Sequence, residues 1–160
     1  MFRTNSQKGF TLIELVVTLT ILTLLTTLAV PSFRGYLSNQ LVKSLSYELM
    51  ASLRYARSEA VKRNATVSVV ANDAGWGAGW SIQDSGGNVI RSRSANASAW
   101  SIVEASSQTS IGFKGNGRCS NAASFSVCDS DSSATISKRL LTVTTSGVPL
   151  IKVSGNCGGG

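Results

Sequence analysis

The chain's 160 residues suit one domain plus an appendage. Charged residues make up only 14%, where about 25% is usual for a soluble domain, so an apolar segment is expected to dilute the charge. The net charge is +7, there is no histidine, and the three cysteines (Cys119, Cys128 and Cys157) fit none of the common zinc spacings. With no G-x-S-x-G, phosphate loop or S-x-x-K arrangement either, no enzyme, catalytic residue, metal site or cofactor is expected.

Arg3 and Lys8 precede the apolar run; without them 13 basic residues face 8 acidic ones, a balance of +5. That excess is compatible with an anionic partner such as nucleic acid but does not demand one. From Phe10 to Val30 the chain reads FTLIELVVTLTILTLLTTLAV, with Glu14 as its single charge. As a helix this run would span roughly 31 Å, the hydrocarbon thickness of a bilayer. Its threonines fit a helix because a hydroxyl can bond a carbonyl one turn back. The run is too long for a secretory signal, whose small-residue cleavage site would follow it, whereas here the small residue, Gly9, comes first. The basic residues ahead of the run should hold that end in the cytoplasm. A plain membrane anchor has no use for Glu14, since an unpaired carboxylate inside the bilayer edge costs a few kcal/mol.

Pro31 should kink the helix. Beyond it Val42, Leu45, Leu49, Leu53, Ala56 and Ala60 step by three or four along one face, while Arg34, Lys43, Glu48, Arg54, Arg57 and Lys62 fall largely elsewhere. Glu59 and Arg63 form a favourable i,i+4 pair, and Asn64 is the expected stop. The helix 10–64 would be roughly 80 Å long. The basic residues of its last turns read most simply as a solvated face.

After Asn64, short Val/Ile/Thr/Phe runs alternate with Gly/Ser/Asn/Asp turns, the pattern of antiparallel strands. Strands are expected near 66–71, 80–83, 88–92, 100–104, 110–114, 123–128, 135–145 and 148–153. Asp84-Ser85-Gly86-Gly87-Asn88 and Ser146-Gly147 are hairpin turn signals. Gly75-Trp76-Gly77-Ala78-Gly79-Trp80 admits two readings, an aromatic platform for bases or tryptophans anchored in the core, and the second is favoured because large aromatics usually supply buried area.

Lys8-Gly9-Phe10-Thr11-Leu12-Ile13-Glu14-Leu15 resembles the prepilin signal of type IV pilins and type II secretion pseudopilins. The resemblance implies cleavage between Gly9 and Phe10 by a prepilin peptidase, N-methylation of Phe10, and an assembly role for Glu14 in pairing with a neighbouring subunit's new amine. Pro31 falls where pilins often carry a proline. Leu53-Arg54-Tyr55-Ala56-Arg57-Ser58-Glu59-Ala60-Val61-Lys62-Arg63-Asn64 is similar to a stretch of the GspH/FimT group of minor pilins and pseudopilins, as are the G-W-x-x-G-W pattern and Ile111-Gly112-Phe113.

This resemblance implies an α+β type IV pilin fold, a long N-terminal α-helix packed on a C-terminal antiparallel β-sheet domain. The expected organisation is a leader 1–9, a transmembrane and filament-core helix 10–30, an amphipathic half 31–64 and a β domain 65–160. The implied function is that of a minor pilin of the FimT/FimU kind that primes or joins a type IV pilus, with two alternatives, a type II secretion pseudopilin of the H kind and a minor pilin that binds DNA in natural transformation. Implied partners are the prepilin peptidase, other major and minor pilins and the inner membrane, with the C-terminal domain exported before assembly into a filament. Three cysteines allow three pairings. The resemblance implies Cys128–Cys157, with Cys119–Cys128 as the alternative. Some FimT-like pilins bind DNA through a Gly-Arg-x-Arg motif in the last hairpin, where this chain has Gly147-Val148-Pro149-Leu150. Lys138, Arg139 and Lys152 remain as candidate DNA-binding residues of a smaller patch, with Arg91, Arg93, Lys114 and Arg118 as further basic residues outside any motif.

Overall fold

The computed structural model describes residues 9–94, 100–130 and 136–158, without the side chains of residues 28–32 and 34. The basic leader residues Arg3 and Lys8 and position 135 of the expected seventh strand lie outside the described residues, and so does the Pro31 side chain at the expected kink. One helix, α1, runs from Leu12 to Arg63, so Pro31 does not end it. Contacts divide the chain into two units, Met1–Tyr36 and Leu37–Gly160.

In the first unit the described apolar side chains of the helix up to Leu25 are bare. Leu12, Ile13, Leu15, Val16, Val17, Leu19, Ile21, Leu22, Leu24 and Leu25 are all exposed. The threonine hydroxyls turn inward along the backbone: Thr18 donates to the Leu15 carbonyl at 2.9 Å and Thr20 to that of Val16 at 2.8 Å. Thr23, Thr26 and Thr27 each donate at 2.8 Å to the carbonyl three residues back. Their polarity is thereby satisfied within the helix, as an apolar surrounding requires. Among the described residues no helix is long and apolar enough to cross a membrane. The helical run with described side chains, Leu12 to Thr27, rises only about 24 Å, and the expected span to Val30 continues past it.

In the second unit the helix carries the core. Val42, Leu49, Leu53, Ala56 and Ala60 are fully buried and Leu45 is 3% exposed, the stripe that the three-and-four spacing predicts. Each Leu or Val so buried contributes roughly 1.5–3 kcal/mol. Ser46 lies in the same stripe and satisfies its hydroxyl on the Val42 carbonyl at 2.7 Å. The helix closes in a Schellman arrangement: Asn64 takes φ 49°, the Ala65 N–H bonds the Ala60 carbonyl and the Asn64 N–H that of Val61, both at 3.2 Å.

Among the described residues eight strands follow: β1 Val67–Asn72, β2 Gly75–Asp84, β3 Val89–Ser94, β4 Trp100–Glu104, β5 Ser110–Phe113, β6 Ala123–Asp129, β7 Ser137–Val143 and β8 Pro149–Asn156. They form two antiparallel four-stranded sheets, ordered β3-β2-β1-β5 and β4-β6-β7-β8. Both expected hairpin turns are present. Asp84 Oδ1 accepts the N–H of Gly86 at 2.9 Å and of Asn88 at 3.0 Å, and the Gly147 N–H bonds the Thr144 carbonyl at 2.8 Å. Strand β2 begins at Gly75, earlier than the expected 80–83, because the glycine-tryptophan stretch is itself a strand.

Its tryptophans are core residues. Trp80 is 1% exposed and donates Nε1–H to Ser52 Oγ at 2.8 Å. Trp76 donates to the Gln108 carbonyl at 2.8 Å and meets Phe125 edge-on, 4.9 Å between centroids. Neither ring is available as a platform for bases.

Candidate functional site

Gly9, Phe10 and Thr11 precede the first turn of α1, and Phe10 is 92% exposed. The Gly9–Phe10 junction is therefore accessible chain outside the helix. Thr11 and Glu14 then cap the helix reciprocally. The Glu14 N–H donates to Thr11 Oγ1 at 3.3 Å, while Glu14 Oε2 accepts the Thr11 N–H at 2.9 Å and its hydroxyl at 3.0 Å. This is a capping box, Thr-x-x-Glu, and it gives Glu14 a local job in starting the helix. The signal stood in the sequence as Thr11-Leu12-Ile13-Glu14. Glu14 Oε1 takes no hydrogen bond among the described residues.

At the other end of the chain, Cys128 and Cys157 form a disulfide with their Cα atoms 5.6 Å apart, joining β6 to the chain just past β8. The Cys119–Cys128 alternative is excluded. Cys119 is a free, buried thiol bonded to the Asn121 carbonyl at 2.9 Å, and burial pushes its titration up.

The candidate DNA-binding residues are divided by strand geometry. In β7 and β8 Leu140 lies opposite Lys152, and Arg139 opposite Val153 on one side and Val127 on the other. Side chains alternate along a strand, so Lys138 and Lys152 share the outer face, and Arg139 sits with Leu141 and Val127 on the core-directed face. Arg91 and Arg93 are engaged with the helix. Arg93 pairs with Glu48 and lies 4.8 Å over the Trp80 ring, and Arg91 lies 5.9 Å over Tyr55. The Glu48 and Tyr55 contacts fasten β3, an edge strand, to α1, and the Trp80 contact ties it to β2.

The GspH/FimT-like helix stretch has a structural centre at Arg57. Its Nε–H donates to the Gly117 carbonyl at 2.9 Å. Gly117 and Gly147 occupy turns with φ of 76° and 78°. A Cβ added to Gly147 would run into that same Gly117 carbonyl, and one on Gly117 would come within 3.2 Å of Val61. Only glycines let the β5–β6 turn and the β7–β8 turn cross so closely beneath the arginine. The neighbouring Glu59 is 8% exposed; Arg63 bonds it at 2.8 Å and holds its carboxyl below the usual range.

A bare apolar helix opened by a capping box, whose later turns carry two antiparallel sheets, defines a type IV pilin fold. Known proteins agree. Residues 4–30 match the prokaryotic N-terminal methylation motif, and residues 46–147 match the family described as type II transport protein GspH. A crystal structure of the type IV minor pilin FimU of Pseudomonas aeruginosa is similar with a TM-score of 0.61 and 28% identity, over 72% of this chain and 98% of that one. A second crystal form of the same pilin also gives 0.61, at 27% identity over 74% and 96%. No curated protein matches the sequence. The chain belongs to the GspH family, whose members are pilins, structural proteins and not enzymes. The methylation motif implies processing by a prepilin peptidase, partners among pilins, and anchoring of the precursor in a membrane through the N-terminal helix.

Proposed function

We propose that this chain is a minor pilin of the FimU kind that primes or joins a type IV pilus. It begins as a single-pass inner-membrane precursor with its β domain in the periplasm. The peptidase cuts between Gly9 and Phe10, and the new amine of Phe10 is methylated. The observation that carries this reading is the bare apolar helix beginning three residues after an exposed Gly-Phe junction. Such a surface is stable only against lipid or against like helices. Lipid covers it before assembly, and neighbouring subunits cover it in the filament. In a filament core the carboxylate of Glu14 is costly unless paired. Its Oε2 is committed to Thr11, and Oε1 is left to receive the amine of an adjacent subunit.

A second reading, a pseudopilin of type II secretion, draws support from the description of the matched family. It uses the same helix chemistry and differs in the machine served. A DNA-uptake role draws the least support. Val148 and Leu150 stand where arginines would pair phosphates, and Lys138 and Lys152 face away from Arg139.

Two substitutions test the pairing. Glu14→Gln keeps a side-chain oxygen for the capping box and removes the charge, whereas Glu14→Ala removes both. If the charge pairs with an amine, both variants are depleted from sheared filaments to a similar degree. Normal incorporation of Glu14→Gln would reduce Glu14 to a helix cap and sink the pairing mechanism.

A further inference from the structure

Within the second unit the last turns of α1 and the two glycine turns enclose a groove of about 530 Å³. Three cations line it: Arg54, Arg57 and Lys62. Val61, Val148 and Pro149 make it apolar, Ser58, Asn116 and Gly117 complete the lining, and no carboxylate lines it among the described residues. Arg54 has no ion-pair partner among the described residues. Lys62 is only loosely held, 3.6 Å from Glu59 and largely exposed. Arg57 is anchored through Nε, so its terminal nitrogens are pre-positioned at the groove. A guanidinium fixed in this way suits a carboxylate, which it can take through two parallel hydrogen bonds with little further loss of freedom.

We propose that this groove docks an acidic, partly aliphatic segment of another polypeptide. Charge complementarity sets the sign of the occupant, and the apolar lining sets its class. Aliphatic surface rimmed by arginine is the composition of a protein interface. Nucleic acid fits less well. Among the described residues no aromatic side chain lines the groove to stack a base, and three cations are few for tracking a phosphate backbone. The inference does not depend on the role of Glu14. It holds equally in a pilus or a secretion filament.

The test is fluorescence anisotropy with the full-length chain in detergent micelles and a labelled peptide, about ten residues long, alternating glutamate and leucine. A lysine-leucine peptide and a short DNA duplex serve as the comparison probes. The acidic peptide is expected to bind, and Arg54→Ala with Lys62→Ala is expected to weaken it at least tenfold. Both side chains are exposed, so circular dichroism should be unchanged. Val148→Ser, which alters the apolar lining without touching charge, should weaken binding several-fold. Lys138→Ala with Lys152→Ala should leave it unaltered. The proposal is overturned if the peptide does not bind, if the groove variants bind like the parent, if the Lys138/Lys152 pair gives the same loss, or if the duplex binds more tightly than the acidic peptide.

Discussion

Replacing Gly147 with alanine separates two costs that the structure makes distinct. Gly147 and Gly155 both have positive φ, 78° and 67°. A Cβ on Gly155 would meet nothing within 4 Å, whereas one on Gly147 would strike the Gly117 carbonyl. Gly155→Ala should therefore cost only the left-handed backbone penalty, about 1–2 kcal/mol. Gly147→Ala carries that penalty and must also displace the Gly117 carbonyl. That oxygen is the acceptor for Arg57, and a lost hydrogen bond to a charged group costs about 1.5–3 kcal/mol. The sum is about 2.5–5 kcal/mol, or a fall in Tm on the order of 10 °C for a chain of this size. Thermal and urea unfolding of the full chain in detergent would measure both variants. A cycle with Arg57→Met completes the test, because in the Gly147→Ala background the arginine substitution should cost little more. Equal losses for Gly147→Ala and Gly155→Ala, or additive losses with Arg57→Met, would refute the crossing of the two turns beneath Arg57.

Opening the Cys128–Cys157 bridge by Cys157→Ser releases a loop of sequence separation 29, and unfolding should become easier by about 3–4 kcal/mol; unchanged stability under oxidising conditions would contradict the bridge. The β2–β3 turn should be acid-sensitive. The Asn88 side chain and the backbone N–H groups of Asn88 and Gly86 bond the Asp84 carboxylate and hold its pKa below the ordinary aspartate value. A depressed folded pKa contributes stability that is present above the unfolded value, about 4, and lost as pH falls through the folded one. Stability should drop in that window for the parent, and the drop should be smaller in Asp84→Asn; identical pH profiles in urea titrations would count against it.

The local patterns were legible in the sequence. The helix stripe from Val42 to Ala60, the stop at Asn64, both hairpin turns and the strands other than the first half of β2 follow from periodicity and turn chemistry, because each depends on neighbours within a few residues; at 75–79 the glycines read as a turn and hid the strand. The division into two sheets was not legible. β1 pairs with β5 across some forty residues, and nothing local specifies that partner. Two features of the site were present in the sequence and overshadowed by other patterns. Thr11 and Glu14 spell a capping box inside a motif that drew attention to charge. Lys138 and Arg139 are adjacent on a strand, and adjacency there means opposite faces. Arg57 is the reverse case. As one charge among several on a helix it looks solvated, and only the distant glycines Gly117 and Gly147 half-bury it.

If this chain is processed at Gly9–Phe10 and enters a filament by its N-terminal helix, its mature N-terminus records both events. Mass spectrometry of the chain recovered from sheared filaments tests both most directly. The expected N-terminal peptide begins at N-methylated Phe10, with Glu14 five residues in. A chain absent from filaments, or one that retains Met1 or starts beyond the apolar run, would contradict it.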